Sequence, residues 1–412
     1  MIVLNDTLGA YGGSHTMMLR MCTWLRENDI KVTIVCSSMD NTEIVEKLEK
    51  TGTNIVCADM SDAKKGYFVL KELLDIEDIK VFNFSWNYYL DMECIKKIHK
   101  LRFDNFVYCI HPETFKKGIG FKSEILRQYS INKYKKIYER MNTNGALIMM
   151  DEINTEESGK YLQVNLQTKP PIVCLPMYCS ALSNKDEVIK SGFESDVIMT
   201  AARADFPYKG YIIGLIKAFE NIKKSFPNTQ LEIISAGEDY DQILFALDQL
   251  PASVRNSIKL HGWMDYDTLK ENIKRCKVFV GMGTTVLDSS LLYKPSVAVR
   301  FNTYDLIGDS LIADKPTYFT AMKDCKENAT NQILRVLNMD YEEYKKCANK
   351  SFDEVEKNYA MKYCMDALIT SNTKEKRSIL TTRETYRHIV NNIINRIRFR
   401  KNHFDYKSIT KE

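Results

Sequence analysis

The stretch VFVGMGTTVLDSSLLYKPSVAV, Val278–Val299, decides the fold of the second half of the chain. Its apolar start, Val278–Val280, predicts a buried parallel strand, and the apolar residues from Val286 onward have helical spacing. Lys294-Pro295 ends that helix before a second β-branched run begins at Ser296. The stretch therefore predicts a strand, a glycine turn, a helix and a second strand.

The glycine turn has the chemistry of an anion-binding site. Gly281 and Gly283 carry no Cβ, so a ligand can approach the backbone closely. The N–H groups at the start of the following helix, Thr284 and Thr285, have no partner within the helix and favour negative charge. The alternative is a tight turn without a ligand, in which Thr284 or Thr285 is the N-cap.

Two cations follow another predicted strand earlier in the chain. Arg203 comes just after the β-branched run Val197–Thr200, and six residues later Lys209-Gly210 opens an amphipathic helix. Ligands of open parallel sheets bind at the carboxyl ends of the strands, so both charges are expected to converge on the anion site. The alternative is a pair of solvated side chains.

The order of these segments resembles the donor-binding half of the family-4 retaining glycosyltransferases, which have the GT-B fold. The resembling segments are Arg203…Lys209-Gly210, LEIISAGED, KLHGWMDYDTLKENI and VFVGMGTTVLDSSLLYKPSVAV. The family has an E-x7-E element whose second acid stands seven residues before a proline. Asp288 stands seven residues before Pro295 and takes the place of that acid.

The resemblance implies a role for each of these residues. Asp288 is expected to bind the ribose hydroxyls of a nucleotide-diphosphate sugar, and backbone at Gly283, Thr284 and Thr285 to contact its diphosphate. Arg203 and Lys209 are expected to neutralise the charge that develops on the leaving diphosphate. Trp263 is expected either to stack on the base or to fill core.

The sequence departs from the family pattern in two ways. The spacing from Arg203 to Lys209 is one residue longer than the commonest form, and nothing acidic lies between Lys277 and Asp288. The first Glu of the pair, which contacts the donor sugar in the family, is therefore missing. This leaves open a nucleotide-sugar-binding protein without turnover, and a GT-B epimerase, although the extra acids of an epimerase cannot be placed.

The N-terminal half alternates strand-like and helix-like segments, which predicts a parallel, doubly wound sheet. The predicted strands are Met1–Asn5, Lys31–Cys36, Ile55–Cys57, Ile79–Phe84, Phe106–Ile110, Ala146–Met150 and Pro171–Pro176. The predicted helices begin at Ser14 and lie near Thr42–Glu49, Lys64–Leu74 and Asp91–Leu101. A dehydrogenase is disfavoured, because Cys36-Ser37-Ser38 stands where a dinucleotide ribose needs an acid.

Two features of this half are candidate site elements. Gly12, Gly13 and Ser14 open the first helix with exposed backbone N–H groups, and the resemblance implies that they face the donor diphosphate. His111 follows the fifth strand at the sheet edge that binds ligands, where the resemblance implies a place near the donor sugar. A simple turn and a structural histidine are the alternatives.

Composition and length bound the remaining possibilities. A chain of 412 residues suits two or three domains, and a net charge of +4 gives no argument for nucleic acid as a partner. The 11 dispersed cysteines predict a reducing compartment, and neither a signal peptide nor an apolar run of membrane-spanning length is found. The expected domains are 1–180, 181–365 and a helical segment, 366–412, that crosses back onto the N-terminal domain.

Acidic and basic clusters suggest two further sites. Glu238–Asp241 and Asp265–Asp267 contain D-x-D-like pairs, but each precedes a helical pattern whose N-terminus favours acids, so we expect no metal. Residues 118–144 and the helix predicted at Glu384–Arg400 are basic with interspersed aromatic or apolar residues. A solvated or packed helix face is expected there, and contact with an anionic membrane is the alternative.

These observations together predict an α/β protein of GT-B fold, with two doubly wound Rossmann-like domains and a cleft between them. The expected activity is metal-independent, cofactor-independent and retaining transfer of a sugar from a nucleotide-diphosphate sugar. The expected acceptor is a glycan or a lipid-linked glycan, in cell-surface polysaccharide synthesis. The protein is expected in the cytoplasm or peripherally at the inner face of the membrane.

Overall fold

The structure is a computed structural model that describes residues 1–8, 13–111, 114–115, 124–166, 168–314, 320 and 325–394. The chain divides into two compact units. Unit 1 comprises Met1–Pro176 together with Met361–Glu412, and unit 2 comprises Met177–Ala360. Each unit is built on its own parallel sheet.

The sheet of unit 1 has six strands in the order β3-β2-β1-β4-β5-β6, and each neighbouring pair is parallel. The strands are β1 (Ile2–Asn5), β2 (Val32–Cys36), β3 (Asn54–Cys57), β4 (Lys80–Asn83), β5 (Asp104–Cys109) and β6 (Leu147–Met149). The order reverses direction between β1 and β4. The ligand-binding crevice of an open sheet lies at such a switch point.

Helices connect these strands and cover the sheet. They are α1 (Gly13–Glu27), α2 (Thr42–Lys50), α3 (Ala63–Ile76), α4 (Trp86–His99), α5 (Glu124–Asn144) and α6 (Glu152–Leu162). Buried apolar side chains of α4 and α5, such as Tyr89, Ile137 and Tyr138, pack with those of β5 and β6 in one hydrophobic cluster. The predicted strand at Pro171–Pro176 is wrong, because only Ile172 forms a single bridge, with Met149. Proline lacks the N–H that a continuous ladder needs.

The segment after Met361 belongs to unit 1. It contains α15 (Met361–Thr370) and a helix over residues 382–394, α16. Lys80 Nζ donates to the carbonyls of Ile369 and Ser371 at 2.5 and 2.7 Å, and buried Asp104 accepts from Thr373 N at 2.9 Å. These contacts hold the returning segment against the ends of β4 and β5.

A ladder of buried polar side chains crosses unit 1. Asn5 donates to Asn83 at 2.7 Å, Asn83 donates to Asn105 at 2.7 Å, and Asn105 donates to Glu93 at 2.9 Å. Glu93 also forms an ion pair with Lys96 at 2.9 Å, and both side chains are fully buried. The other carboxylate oxygen of Glu93 accepts a hydrogen bond from the Ile379 N–H at 2.7 Å. The ladder thus joins β1, β4 and β5 to α4 and to the returning segment.

The sheet of unit 2 has five strands in the order β11-β10-β7-β8-β9, again with parallel pairs throughout. The strands are β7 (Val197–Ala201), β8 (Gln230–Ile234), β9 (Ile258–His261), β10 (Val278–Gly281) and β11 (Ser296–Ala298). Buried Ile198, Leu231 and Phe279 form part of the core. The order reverses between β7 and β10, so the switch point of this unit lies there.

The helices of unit 2 include α12, as the stretch around Gly283 predicts. They are α7 (Lys185–Glu194), α8 (Tyr211–Ser225), α9 (Tyr240–Asp248), α10 (Ala252–Arg255), α11 (Tyr266–Lys274), α12 (Thr284–Leu291), α13 (Thr330–Leu337) and α14 (Tyr341–Tyr359). Helix α14 ends at Ala360, which is its C-cap and forms a single bridge with Met177. Within the described ranges, no helix combines the length and apolarity that a membrane span requires.

Candidate functional site

The candidate site of unit 2 lies at the switch point of its sheet. Strands β7 and β10 are hydrogen-bonded neighbours, with Val278 beside Ile198 and Phe279 beside Met199. Because the two strands are parallel, the loops that follow them leave the same sheet edge. The loop after β7 carries Arg203 and Lys209, and the loop after β10 is the glycine turn. Two segments that are distant in sequence, one after Ala201 and one after Gly281, therefore begin at adjacent strand ends.

The glycine turn is closed by Gly283, not by a threonine. Gly283 is the N-cap of α12 with φ 72° and ψ −148°, a backbone conformation that L side chains rarely adopt. No side chain caps this helix, and the Thr285 hydroxyl donates instead to the Met282 carbonyl at 3.3 Å. The alternative in which Thr284 or Thr285 is the N-cap is therefore wrong. The N–H groups of the first helical turn are left without a side-chain cap, as an anion site needs.

Arg203 and Lys209 share one carboxylate, Asp205. Arg203 Nη2 lies 2.9 Å from Asp205 Oδ2, and its side chain is largely exposed. Lys209 Nζ lies over the ring of Tyr208, 5.2 Å from the ring centroid. The two cations interact electrostatically with Asp205 and with each other. The structure thus brings Arg203 and Lys209 together, as predicted. Asp205, which interacts with both, was not among the predicted site residues.

The environment of Lys209 makes its charge easy to lose. Burial lowers the pKa of its ammonium group to about 8, from an ordinary value of 10.5. The Asp205 carboxylate opposes this shift, and the Arg203 cation adds to it. A second negative group, such as a phosphate, would stabilise both cations. The pair is therefore suited to an anionic ligand.

The loop after β8 supports the loop that carries these cations. Gly237, with φ 144°, passes so close to the Ala204 carbonyl that a Cβ would lie 2.5 Å from that oxygen. Asp239 accepts a hydrogen bond from the Phe206 N–H at 2.7 Å. These contacts fix the backbone on both sides of Asp205. They also give Asp239 a structural role in this loop.

Asp288 lies on α12, downstream of the glycine turn. Its side chain is only 7% exposed, and one carboxylate oxygen accepts a hydrogen bond from the Tyr266 hydroxyl at 2.7 Å. Tyr266 is the first residue of α11, which follows β9. The partner of the predicted ribose acid was missed by sequence reasoning. The only signal for it was an aromatic residue just after the predicted base-binding segment.

Trp263 and the acids beside it are placed at the same edge of the sheet. Trp263 follows β9 and is 69% exposed, which excludes the alternative that it fills core. Asp265 is the N-cap of α11 and accepts from the Asp267 and Thr268 N–H groups at 3.1 and 3.0 Å. The hydrogen bonds to this side chain lower the pKa of Asp265. Its function is therefore helix capping.

The candidate residues of unit 1 lie at the carboxyl edge of its own sheet. Gly13 is the first residue of α1 and is exposed, and Ser14 follows it in the helix. Gly12 lies outside the described residues. His111 is half-buried two residues beyond β5, and its carbonyl accepts from the Thr114 N–H and hydroxyl at 3.0 and 2.7 Å. These side chains occupy the predicted edge, and their role stays a prediction.

A further acid stands at the switch point of unit 1. Asp6 directly follows β1, and burial raises the pKa of its carboxyl to about 6. The Thr7 N–H, at 2.8 Å from Asp6 Oδ1, and His15 both oppose this shift. His15 in turn binds the Thr7 carbonyl at 2.8 Å. The sequence signal was an acid immediately after the first strand, read only as part of a polar turn.

The surface of unit 2 also has a cavity of about 540 Å³ that is separate from the predicted residues. Its walls include Ile213 and Lys217 of α8, Phe245 of α9, and Tyr304. None of the predicted site residues lines it. We therefore assign the candidate site to the strand ends at the switch point and not to this cavity.

Comparison with known proteins identifies the fold. No protein-family model matches the chain, and no curated protein matches it in sequence. Among solved structures, Alr3699/HepE from Anabaena in complex with UDP has a TM-score of 0.63 at 12% identity, covering 89% of this chain and 98% of that one. A glycosyltransferase from Rickettsia africae ESF-5 has a TM-score of 0.62 at 14% identity, with coverage of 89% and 96%.

A third solved structure agrees with these two. Sucrose-phosphate synthase from Thermosynechococcus elongatus has a TM-score of 0.60 at 10% identity, and the match covers 89% of this chain and 97% of that chain. At such identities the likeness is evidence for the fold. The chain has the GT-B fold, with two Rossmann-like parallel-sheet domains, and the predicted fold class is confirmed.

Proposed function

We propose that this chain is a glycosyltransferase that takes a sugar from a nucleotide-diphosphate sugar, with the nucleotide bound at the switch point of unit 2. The observation that carries the proposal is the pairing of β7 with β10. Because these strands are parallel neighbours, the loop of Arg203 and Lys209 and the uncapped start of α12 follow adjacent strand ends. Cations and free N–H groups at adjacent strand ends suit a diphosphate. The solved structure of Alr3699/HepE with UDP-glucose, which has the same fold, supports this choice of ligand.

The proposed chemistry depends on charge that develops when the sugar leaves. Cleavage of the bond between the sugar and the diphosphate places additional negative charge on the terminal phosphate. Arg203, Lys209 and the N–H groups of Thr284 and Thr285 stabilise that charge, and donors fixed in advance stabilise it most. Asp288 holds the ribose, which orients the diphosphate toward the cations.

The finer parts of the proposal rest on the resemblance of the sequence to the family-4 enzymes. We propose a retaining mechanism, a glycan or lipid-linked acceptor, and a place in cell-surface polysaccharide synthesis. The missing first acid of the E-x7-E element keeps a non-catalytic nucleotide-sugar-binding protein as the second candidate, since that acid contacts the donor sugar in the family. An epimerase of the same fold would use the same diphosphate site.

Turnover of nucleotide sugars separates these functions. We expect that incubation with UDP-, GDP- and ADP-sugars releases free nucleotide slowly from one of them in the absence of acceptor, because water replaces the acceptor. Chromatography of the products measures both the nucleotide and the sugar. Tight binding without release would support the non-catalytic protein, and a changed sugar still attached to its nucleotide would support the epimerase. If none of these nucleotide sugars binds, the proposed function is wrong.

A second surface, on unit 1, supports a proposal of contact with a membrane. We call it the α5–α16 surface, and it consists of exposed apolar and cationic side chains on those two helices. Ile125 and Tyr386 are 81% and 70% exposed, and the Arg387 guanidinium lies 5.8 Å from the Tyr129 ring centroid, joining the helices. Arg140 binds Glu384 in α16 with two contacts, at 2.8 and 2.7 Å. Exposed apolar side chains beside cations suit an anionic membrane surface, so we propose peripheral contact there.

Vesicle binding tests this surface. We expect the protein to sediment with vesicles containing phosphatidylglycerol more than with pure phosphatidylcholine, and added salt to weaken the binding because it screens the cations. Tyr386→Ser is expected to lower the bound fraction. Tyr363→Ser is the matched control, because Tyr363 is also in unit 1 and is 64% exposed. Equal loss in both variants, or equal binding to both vesicles, would contradict the proposal.

A further inference from the structure

We propose that Tyr266 is a positioning residue for the nucleotide: its hydroxyl fixes the carboxylate of Asp288, and through it the ribose. This inference rests on the proposed function, because that function assigns the ribose to Asp288. Tyr266 lies within the resembling segment KLHGWMDYDTLKENI, but the resemblance implies no role for it. The ligand group that Asp288 binds in this proposal is the pair of adjacent hydroxyls of a ribose.

The contact itself is short and mostly shielded from water. The Tyr266 hydroxyl lies 2.7 Å from Asp288 Oδ1, and the Asp288 side chain is only 7% exposed. A hydrogen bond to a carboxylate is stronger than one between neutral groups, and a buried carboxylate depends on such donors. The tyrosine hydroxyl therefore restricts the orientation of the carboxylate before any ligand arrives.

Tyr266 is itself held in place. It is the first residue of α11, whose start is capped by Asp265. Lys270 Nζ lies 4.7 Å from the Tyr266 ring centroid, and Lys270 is paired with Asp267 at 2.8 Å. Helix α11 thus presents the Tyr266 side chain from a capped helix start, as a preorganised site requires.

Tyr266 also lies where a ligand can reach it. Its side chain is 39% exposed, although its hydroxyl contacts a buried acid. It stands three residues after Trp263, which is largely exposed on the same connection from β9 to α11. Both rings are therefore accessible to a bound nucleotide. Tyr266 therefore extends from the protein surface to the buried carboxylate of Asp288.

The chemistry of the acid explains why a positioning residue is useful. Asp288 takes the place of a glutamate in the resembling family, and its side chain is shorter by one methylene group. A shorter side chain has less reach, so its orientation decides whether both ribose hydroxyls can donate to it. Fixing one oxygen with a hydroxyl donor reduces the conformational entropy lost when the ligand binds.

The inference is tested by comparing the wild type with Tyr266→Phe, each with a nucleotide and with its dideoxy form. Calorimetry would measure the Kd of UDP, GDP and ADP, and then that of the 2′,3′-dideoxy form of the tightest ligand. Tyr266→Phe removes only the hydroxyl, and we expect it to weaken binding of the ribose form about tenfold. Binding of the dideoxy form is expected to stay unchanged, because it has no hydroxyls for Asp288 to accept from. A structural role alone would weaken both ligands equally.

Two control variants make the result specific. Tyr304→Phe removes another half-exposed tyrosine hydroxyl in unit 2, whose contact to Gln242 is a weak 3.5 Å, and it is expected to bind both ligands normally. In an Asp288→Asn background, Tyr266→Phe is expected to have little further effect, since the two residues act as one unit. The comparison in the Asp288→Asn background remains informative even if Tyr266→Phe alone lowers the yield of folded protein.

The outcomes distinguish the inference from the function on which it rests. Wild-type protein that binds a nucleotide, with an unchanged preference for the ribose form in Tyr266→Phe, overturns the role of Tyr266 and leaves the proposed function intact. Wild-type protein that binds none of the three nucleotides overturns both. An additive loss in the Asp288→Asn background also overturns the positioning role.

Discussion

Lys209→Ala is expected to abolish sugar transfer and to weaken nucleotide binding by at least about 100-fold. The reason is that a partly desolvated cation paired with a phosphate contributes several kcal/mol, and its removal leaves the phosphate charge uncompensated. Arg203 cannot replace it, because Arg203 already contributes its own charge to the site and part of that charge is neutralised by Asp205 at 2.9 Å. Calorimetry with nucleoside diphosphates and the nucleotide-release assay measure the two effects.

The pH dependence of binding gives an independent view of the same side chain. The lowered pKa of Lys209, about 8, means that the ammonium is charged below pH 8 and neutral above it. Nucleotide affinity is therefore expected to be about tenfold lower at pH 9 than at pH 7. Lys209→Arg keeps its charge throughout this range, so its affinity is expected to stay flat.

Lys217→Ala is the matched control for this prediction. Lys217 is an exposed lysine on α8, the helix that begins just after Lys209. We expect normal binding and the same pH profile as for the wild type. Normal binding by Lys209→Ala, or a pH profile that Lys209→Arg leaves unchanged, would rule out the assigned phosphate contact.

Lys96→Met is expected to have the largest effect on stability, a loss of about 3–5 kcal/mol in the free energy of unfolding. The variant leaves the Glu93 carboxylate buried without its cation, and that carboxylate also accepts from Asn105 and from the Ile379 N–H. An unpaired charge in the interior costs more than the pair contributes. Urea unfolding, monitored by circular dichroism, measures the change.

Neighbouring variants separate the ion pair from other causes. Lys97→Met changes the next residue of α4, which is exposed, and is expected to alter stability by less than about 0.5 kcal/mol. The double variant Glu93→Gln with Lys96→Met removes both charges and is expected to recover part of the loss. A Lys96→Met protein as stable as the wild type would show that Glu93 does not depend on this cation.

The parts of the fold that the sequence predicted are those with local signals. The strand, turn, helix and strand of Val278–Val299 appear in the structure as β10, α12 and β11, since a β-branched run, a glycine pair and a proline act over a few residues. The alternative of a threonine N-cap was wrong because Gly283 is itself the N-cap of α12, in a backbone conformation that the side-chain pattern does not predict. The strand predicted at Pro171–Pro176 was also wrong. Its apolar residues have strand-like composition, but proline has no backbone N–H to donate to a continuous ladder.

Contacts between distant segments were the harder part. The adjacency of β7 and β10 follows from the family resemblance and not from any local signal, because strand order depends on packing of the whole sheet. The contact from Tyr266 to Asp288 joins residues 22 apart on two helices, and neither residue type requires the other. Asp6 was overlooked because burial, which shifts its pKa, is a property of the folded chain.

The return of the chain to unit 1 sets the order in which the protein can be completed during synthesis. Unit 2 is contiguous, so all of its residues leave the ribosome before Met361 does. Unit 1 must wait, because Asp104 and Glu93 receive hydrogen bonds from Thr373 and Ile379. The half that is translated first is therefore the last to reach its final structure, which reverses the usual order in which domains mature on the ribosome.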